Sequence, residues 1–451
     1  MKKIHRIIYD LSPQIFKNII LSIYYFRKYN QRYGKVFYNY LNFLEESQYW
    51  SYEKLREYQN TRLKKFLIFS YENTDYYKEI FDKANFNPYT FKDKEEIRKL
   101  PYLDKKIIRN NYDRIVPQKW LKTQKFIIEK TSGTTGSPLQ FPKTIKSNQI
   151  KYAKQEFVWK IFTNYLFKDI KVAYFSGHRV KDIRYNNPPF WGYNYLTKTL
   201  YFSSYHLSLK NLSYYMEKLI EFKPEVIAGY PSSIYIIAIY IKHENIKIKV
   251  PYIWTSSETL RNYQKTVIKE AFGCKINNYY GSAEGIGPTF VCEHNKIHLM
   301  EYDNIIEIKN KLLLTNFEHY AFPFIRYIID DNIVFDEKKC ECNRIGKIVK
   351  QIDGRIEDYI ITPDNKKVGR LDHIFKNVRN VIESQIVQNE INSIDLNLVV
   401  NNEFSKFDEN IIVKNTKDRL GNGFFININY VDTIPRTNNK FKFVICNLQK
   451  N

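Results

Sequence analysis

The sequence predicts an α/β fold, with a large N-terminal domain of mainly parallel sheet and helices followed by a small α+β C-terminal domain. Three observations carry this. The chain has 451 residues, too many for one small core and suited to one large domain plus a smaller one. From Phe126 onward, short apolar runs alternate with helix-like segments, the pattern of βαβ units. Beyond Asp353 a tail carries its own strand and helix patterns and ends in the apolar run Phe441-Lys442-Phe443-Val444-Ile445. These place the domains at 1–353 and 354–451.

The elements follow in order. Residues 1–120 read as mostly helical: Leu55, Tyr58, Leu63, Phe66 and Leu67 recur at helical spacing among charges between Tyr52 and Tyr71, which predicts an amphipathic helix. Lys92 to Asn110 is also helical in pattern and is interrupted by Pro101. Val226-Ile227-Ala228 predicts a strand followed by the loop Gly229-Tyr230-Pro231-Ser232-Ser233 and a helix over Ile234 to His243. Tyr252-Ile253-Trp254-Thr255 predicts a second, followed by Ser256-Ser257-Glu258 and a helix over Leu260 to Phe272. Lys275 to Tyr280 predicts a third, followed by Gly281-Ser282-Ala283-Glu284. In parallel sheets ligands sit at the carboxyl ends of strands, so three polar loops that each follow a strand are expected to share a site.

Composition narrows the function. The net charge is +23, with 71 Lys and Arg against 48 Asp and Glu. An anionic partner is one reading. The basic residues are dispersed, and no helix-turn-helix, RNA-recognition or zinc-finger spacing accompanies them, so lysine on solvated faces is preferred and nucleic acid is not expected. No apolar run is long enough to span a bilayer. Ile15-Phe16-Lys17-Asn18-Ile19-Ile20-Leu21 is broken by polar residues and lacks a following cleavage site, so it is not read as a signal peptide. It is expected to be a surface helix packed on the body, with peripheral membrane contact as the second use. Five cysteines, an odd number, without a secretion signal argue for the cytoplasm and against a disulfide framework.

The segment most informative about chemistry is Thr131-Ser132-Gly133-Thr134-Thr135-Gly136-Ser137-Pro138, after a strand-like Phe126-Ile127-Ile128. Gly133 and Gly136 let the backbone wrap a ligand, and the hydroxyls of Ser132, Thr134, Thr135 and Ser137 suit phosphate oxygens. No lysine follows the second glycine, which excludes a P-loop of the Gly-Lys-Ser/Thr kind. This string resembles the phosphate loop of the adenylate-forming superfamily. Gly229 to Ser233, Tyr280-Gly281-Ser282-Ala283-Glu284 and Pro323-Phe324-Ile325-Arg326-Tyr327 are similar to its phenylacetate–CoA ligase branch. Pro189-Phe190-Trp191 and Phe202-Ser203-Ser204-Tyr205-His206 resemble the CapK-like subgroup of capsular polysaccharide gene clusters.

The resemblance implies an ANL-type enzyme that uses ATP and Mg²⁺ to convert a carboxylic acid to an acyl-adenylate with pyrophosphate release, then transfers the acyl group to CoA. Ser132, Gly133, Thr134, Thr135 and Gly136 would hold the phosphates. Tyr280 would stack on adenine, with Gly281 allowing close approach and Ser282 beside it. Glu284 would bind Mg²⁺. The ribose-binding aspartate, four residues after Tyr327, would be Asp331, with adjacent Asp330 the alternative. Gly354-Arg355 with Asp358 resembles the hinge before a mobile small domain, and Arg355 would contact the ribose or phosphate. Pro435-Arg436-Thr437-Asn438-Asn439-Lys440 resembles the motif of the catalytic lysine, one residue shorter than usual and with Asn439 in place of Gly. Lys440 is the expected lysine and Lys442 the alternative. Gly229, Tyr230, Ser257 and Glu258 border the expected acyl pocket, with His206 and His178 as further candidates.

Cys292-Glu293-His294-Asn295-Lys296-Ile297-His298 and Cys340-Glu341-Cys342 form a second constellation. Three cysteines and one histidine can close a tetrahedral zinc site with no open position, hence structural. His298 is the expected fourth ligand and His294 the second choice. Members of the branch show a similar cluster, in which Gly often stands where this chain has Asn343. Two further functions compete with the CoA ligase. One is an adenylate-forming enzyme that passes its acyl or aminoacyl group to an amine or carrier in surface-polysaccharide modification. The other is a non-catalytic basic protein binding nucleic acid or membrane, which Ser132–Pro138 and Glu284 argue against.

Overall fold

The computed structural model describes Tyr9 and residues 12–130, 139–178, 180–181, 187–207, 209–308, 312–329, 331–353, 360–363, 367–368, 371–375, 378, 380–421, 423–435 and 442–448. It is a mixed α/β architecture. The chain forms two compact units: Met1–Tyr25 with Lys168–Asn278 and Asp353–Asn451, and Phe26–Phe167 with Tyr279–Ile352.

The first unit is built on a six-stranded sheet. From one edge its order is Trp191–Asn194, Thr199–Ser203, Val172–Ser176, Val226–Gly229, Tyr252–Ser256 and Lys275–Tyr279. The four strands from Thr199–Ser203 to Tyr252–Ser256 pair in parallel, and Trp191–Asn194 closes the edge antiparallel. The central strands read as continuous apolar runs because both faces are buried: Val172, Val226 and Ala228 on one face, and on the other Ala173, Phe175, Phe202 and Ile227, which share a core with Ile234, Ile237 and Ile241 of the helix Pro231–His243. Pro231 opens that helix, where its missing N–H has no intrahelical role. The C-terminal part has a separate four-stranded sheet, ordered Phe425–Tyr430, Ser393–Val400, Val381–Glu390 and Val444–Cys446. Ile386, Leu396 and Val444 share a core with Ile412 of the helix Lys406–Leu420.

In the second unit, helices Lys35–Ser47, Tyr52–Asn73, Asp75–Lys83 and Ile145–Thr163 accompany, among the described residues, three small sheets of mainly antiparallel strands. Local chemistry sets the helix starts: Ser51, Thr74 and Thr144 each accept a hydrogen bond from the backbone N–H three residues on, satisfying donors that helix geometry leaves orphaned. Leu63, Phe66, Phe81, Ile108, Phe141, Leu314, Phe322 and Phe324 form the core. The region 92–110, expected as one interrupted helix, is a 3₁₀ turn over Lys94–Lys99 and a helix over Lys105–Asn110. Asp93 and Asp104 cap the two pieces, and the residue before Pro101 takes the extended conformation that proline imposes.

Candidate active site and metal cluster

Strands Phe126–Lys130 and Gln140–Thr144 pair antiparallel with Lys130 opposite Gln140. The expected phosphate segment joins these two ends in sequence; Ser132, Gly133, Thr134, Thr135 and Gly136 lie outside the described residues, as do Asp330, Arg355, Asp358 and Lys440. Lys143 on the second strand is buried, and its Nζ lies 2.9 Å from Glu129 Oε2 on the first. Lys151 Nζ lies 3.0 Å from the other oxygen of the same carboxylate. Burial raises the Glu129 pKa, but the two ammonium groups outweigh it and hold the carboxyl at about 2. Burial, then the charge of Lys151, lowers the Lys143 ammonium to about 7, against the pull of Glu129 and Glu284.

These cations border a cavity of about 180 Å³ also lined by Lys154, Ser282, Glu318 and His319. His319 is buried and its Nδ1 has no hydrogen-bond partner. Burial and the charges of Lys143, Lys151 and Lys154 push its pKa well below the usual histidine value, so it is neutral near pH 7.

The loop after Tyr279 is fixed from several sides. Tyr280 N–H donates to Thr289 Oγ1 at 3.1 Å. Ser282 Oγ accepts from the N–H groups of Gly285 and Ile286, both at 3.2 Å. Asn316 Nδ2 donates to the carbonyls of Glu284 and Gly285 at 3.2 and 3.0 Å. Gly285 has φ +98°, and a Cβ there would lie 1.7 Å from Asn316 Nδ2, so only glycine permits this clamp. Glu284 is held in this loop with 9% exposure. Tyr280 Oη donates to Asp331 Oδ2 at 2.8 Å, bringing together the two residues expected to grip a nucleoside.

The Pro323–Tyr327 motif has an architectural arginine. Arg326 is buried, has φ +51°, and donates through Nε and Nη2 to the Glu307 carboxylate, each at 3.0 Å. Its Nη1 also donates to the carbonyls of Arg98 and Leu100. A bidentate pair of this kind fixes the strand Phe324–Ile329 that leads to Asp331.

In the first unit, the candidate acyl-pocket residues stand at the carboxyl ends of adjacent parallel strands. Gly229 has φ +149°, and a Cβ there would lie 1.9 Å from the Phe175 carbonyl oxygen; that carbonyl accepts from Tyr230 N–H at 2.9 Å. Ser232 N–H, in the first turn of the Pro231–His243 helix, donates to Glu258 Oε2 at 3.2 Å, a favourable place for a carboxylate. Ser257 has φ +71°. Ser232 Oγ and Ser233 Oγ are buried without hydrogen-bond partners. His206 is held within the end of the sheet: its Nδ1 is 2.8 Å from Ser203 Oγ, and its ring stacks on Phe190 at 5.2 Å. His178 packs on Tyr25 and Tyr201. Lys442 gives its backbone carbonyl to Gln385 Nε2 at 2.9 Å, just before the last strand.

Cys292, His298, Cys340 and Cys342 converge, with ligand atoms all within 4.8 Å of one another. Cys292 and Cys340 sulfurs are 3.6 Å apart, and Cys342 Sγ is 3.3 Å from His298 Nε2. Two thiolates on one tetrahedral zinc stand about 3.8 Å apart, so this donor set fits the ion. His298 is buried and stacks on Phe290 at 5.0 Å, whereas His294 is half-exposed beside Glu341. Asn343 has φ +55°, the left-handed conformation that asparagine tolerates.

Sequence reasoning missed Glu129, Lys143, Lys151, Asn316 and His319. The alternation along Phe126–Lys130 and Gln140–Thr144 could have suggested that Glu129 and Lys143 share a face, since their register is a hairpin's; His319 left no comparable signal.

Comparison with known proteins places the chain. Its fold is shared with a 2-hydroxyisobutyryl-CoA ligase in the postadenylation state, with a TM-score of 0.69 at 16% identity, covering 90% of this chain and 92% of that one. Residues 360–447 match the family model described as the CapK C-terminal domain. Over 98% of its length the chain is 31% identical to Protein CapK of Staphylococcus aureus, covering 99% of that protein. It is 24% identical to a phenylacetate-coenzyme A ligase of Thermus thermophilus, over 68% of this chain and 72% of that one. The chain therefore belongs to the CapK-like branch of the adenylate-forming family.

Proposed function

We propose that this protein activates a carboxylic acid with ATP and passes the acyl group to CoA. The carboxylate oxygen attacks the α-phosphorus, the bond to the β-phosphate oxygen breaks, and pyrophosphate leaves. The CoA thiol, losing its proton, then attacks the acyl carbon and AMP leaves. Both steps develop charge on phosphate oxygens, and fixed cations and dipoles stabilise it. The observation that supports this reading is the cavity ringed by Lys143, Lys151, Lys154 and neutral His319, with Glu284 in the adjoining clamped loop.

In this reading Ser132 to Gly136 wrap the phosphates. The Tyr280 ring, steadied by Asp331, lies against adenine with Gly281 beside it, and Asp331 serves the ribose. Glu284 with Ser282 faces the triphosphate; Mg²⁺ bound there would neutralise phosphate charge, and a single carboxylate plus substrate phosphates is an ordinary setting for that ion. Arg355 and Lys440, with Lys442 as the alternative, come from a small domain over 354–451 that moves relative to 1–353 about the hinge motif Gly354-Arg355 with Asp358. Gly229, Tyr230, Ser257, Glu258 and His206 border the acyl group. Zinc on Cys292, His298, Cys340 and Cys342 is structural, since four protein ligands leave no open position. The setting is the cytoplasm.

The test is pyrophosphate release from the purified protein with ATP, Mg²⁺ and a panel of acids, followed by stoichiometric loss of free CoA thiol. Release without CoA consumption, relieved by an amine or carrier, would move the acceptor to surface-polysaccharide modification. No release with any acid, alongside salt-sensitive DNA binding, would end the enzymatic reading. Lys440→Ala is expected to slow adenylation by about 100-fold or more with its melting temperature unchanged; unchanged adenylation would pass the role to Lys442.

A further inference from the structure

The helix Gln14–Arg32 has its polarity reversed relative to an ordinary surface helix. Gln14, Asn18 and Ser22, spaced four apart, turn inward onto the edge strand Trp191–Asn194. Gln14 Nε2 donates to the Trp191 carbonyl at 2.8 Å. Asn18 Oδ1 accepts from Tyr193 N–H at 2.9 Å, and Ser22 Oγ accepts from Tyr195 N–H at 3.1 Å. Three side chains thus occupy backbone groups along a sheet edge that would otherwise recruit another strand. Leu21 and Tyr25 complete the contact: Tyr25 stacks on Tyr201 at 5.0 Å, and a Cβ on Gly192 would stand 3.1 Å from Leu21 Cδ2, so the helix lies close against the strand.

Facing the polar stripe inward leaves an apolar one outside. Ile15, Phe16, Ile19, Ile20, Ile23 and Tyr24 are 38–59% exposed, and their spacing joins them into one continuous face. A contiguous apolar surface of this size marks an interaction site. The helix also carries Lys17, Arg27, Lys28 and Arg32 and no acidic residue. We propose that this face binds an anionic lipid surface, lying in the bilayer interface with its apolar stripe in the acyl boundary and Lys17, Arg27 and Lys28 at the headgroups, while Arg32 packs over the Tyr152 ring at 4.7 Å. The observations favour lipid over a second copy of the chain, because self-association would set this cationic helix, on a protein of net charge +23, against its like. The surface is also a single convex helix, which a fluid interface accommodates without a matching groove. No helix among the described residues is long and apolar enough to cross a membrane, so the contact is peripheral.

The test uses the full chain in co-sedimentation with neutral phosphatidylcholine vesicles and with vesicles containing about 30% phosphatidylglycerol. The expected result is sedimentation with the anionic vesicles, weakened at high salt. It should be reduced about tenfold or more by Ile19→Glu with Ile23→Glu and retained by Ile19→Leu with Ile23→Leu, with circular-dichroism melting unchanged in both variants. Absence of sedimentation with either vesicle, or equal binding by the glutamate variant, would overturn the proposal. So would light scattering that finds a dimer which the glutamate variant converts to monomer, since the face would then belong to a second copy.

Discussion

Two clusters of charged side chains lie in the same compact unit, and they are built to opposite ends. Around Asp303, every charge has an internal counterpart. Asp303 Oδ1 is 3.1 Å from Arg62 Nη1, Oδ2 takes Lys154 and the Tyr40 hydroxyl, and Arg62 also pairs with Glu318. Burial alone would raise the Asp303 pKa, yet Lys154 and Arg62 hold it below the usual aspartate value. Around Lys143, polarity is left over. Two ammonium groups share the Glu129 carboxylate, and His319 Nδ1 has no partner beside a cavity. A buried charge that closes on its neighbours fastens the fold. Buried polarity that faces a void is poised for a ligand. Lys154 belongs to the first cluster and lines the cavity of the second, so the fastening also places a wall of the site.

The largest effect that separates the two is on stability. Asp303→Ala strands Lys154 and removes one partner of Arg62, and is expected to cost about 3–5 kcal/mol, read as a lowered midpoint in urea unfolding. A loss below about 1 kcal/mol would break the contrast. Glu284→Gln is expected to do the reverse: pyrophosphate release falls about 100-fold while the unfolding midpoint stays within error.

Cys342→Ser sharpens a third case, the Cys/His cluster proposed to hold zinc. The wild type is expected to carry one zinc per chain by atomic emission and the variant little or none, with roughly 1–2 kcal/mol lost. Zinc-free wild type of full stability would remove the structural role.

Lys143→Met gives an effect that depends on pH and has a definite sign. The Lys143 pKa is lowered to about 7 in the folded chain, below that of a free lysine. Protonation therefore favours unfolding; the penalty is full below about pH 7 and fades as pH rises toward the ordinary lysine value. The wild type should accordingly gain on the variant by a few degrees in melting temperature between about pH 7 and 10. A difference independent of pH would show that the lysine is not held in this state.

Much of the fold is local in origin, and the sequence displays it. Apolar runs such as Val226-Ile227-Ala228 and Tyr252-Ile253-Trp254 became parallel strands, because strands covered on both faces need no polar alternation. The strings around Tyr280 and Cys292 were visible for a related reason: a tight loop confines its residue types to a few adjacent positions.

By itself the sequence determined the class of fold, the family strings and the residue types of two Cys/His segments, since each string is confined to a few adjacent positions. Only the tertiary structure decided that His298 and not His294 meets the three thiols, that Asp331 meets Tyr280, and that Arg326 is an internal brace on Glu307. It also decided that the first long helix turns its polar stripe inward. That choice rests on unpaired backbone groups at Trp191, Tyr193 and Tyr195, more than 170 residues away along the chain. Periodicity states that a helix has two faces; which one the protein buries depends on what the opposite surface has left unsatisfied.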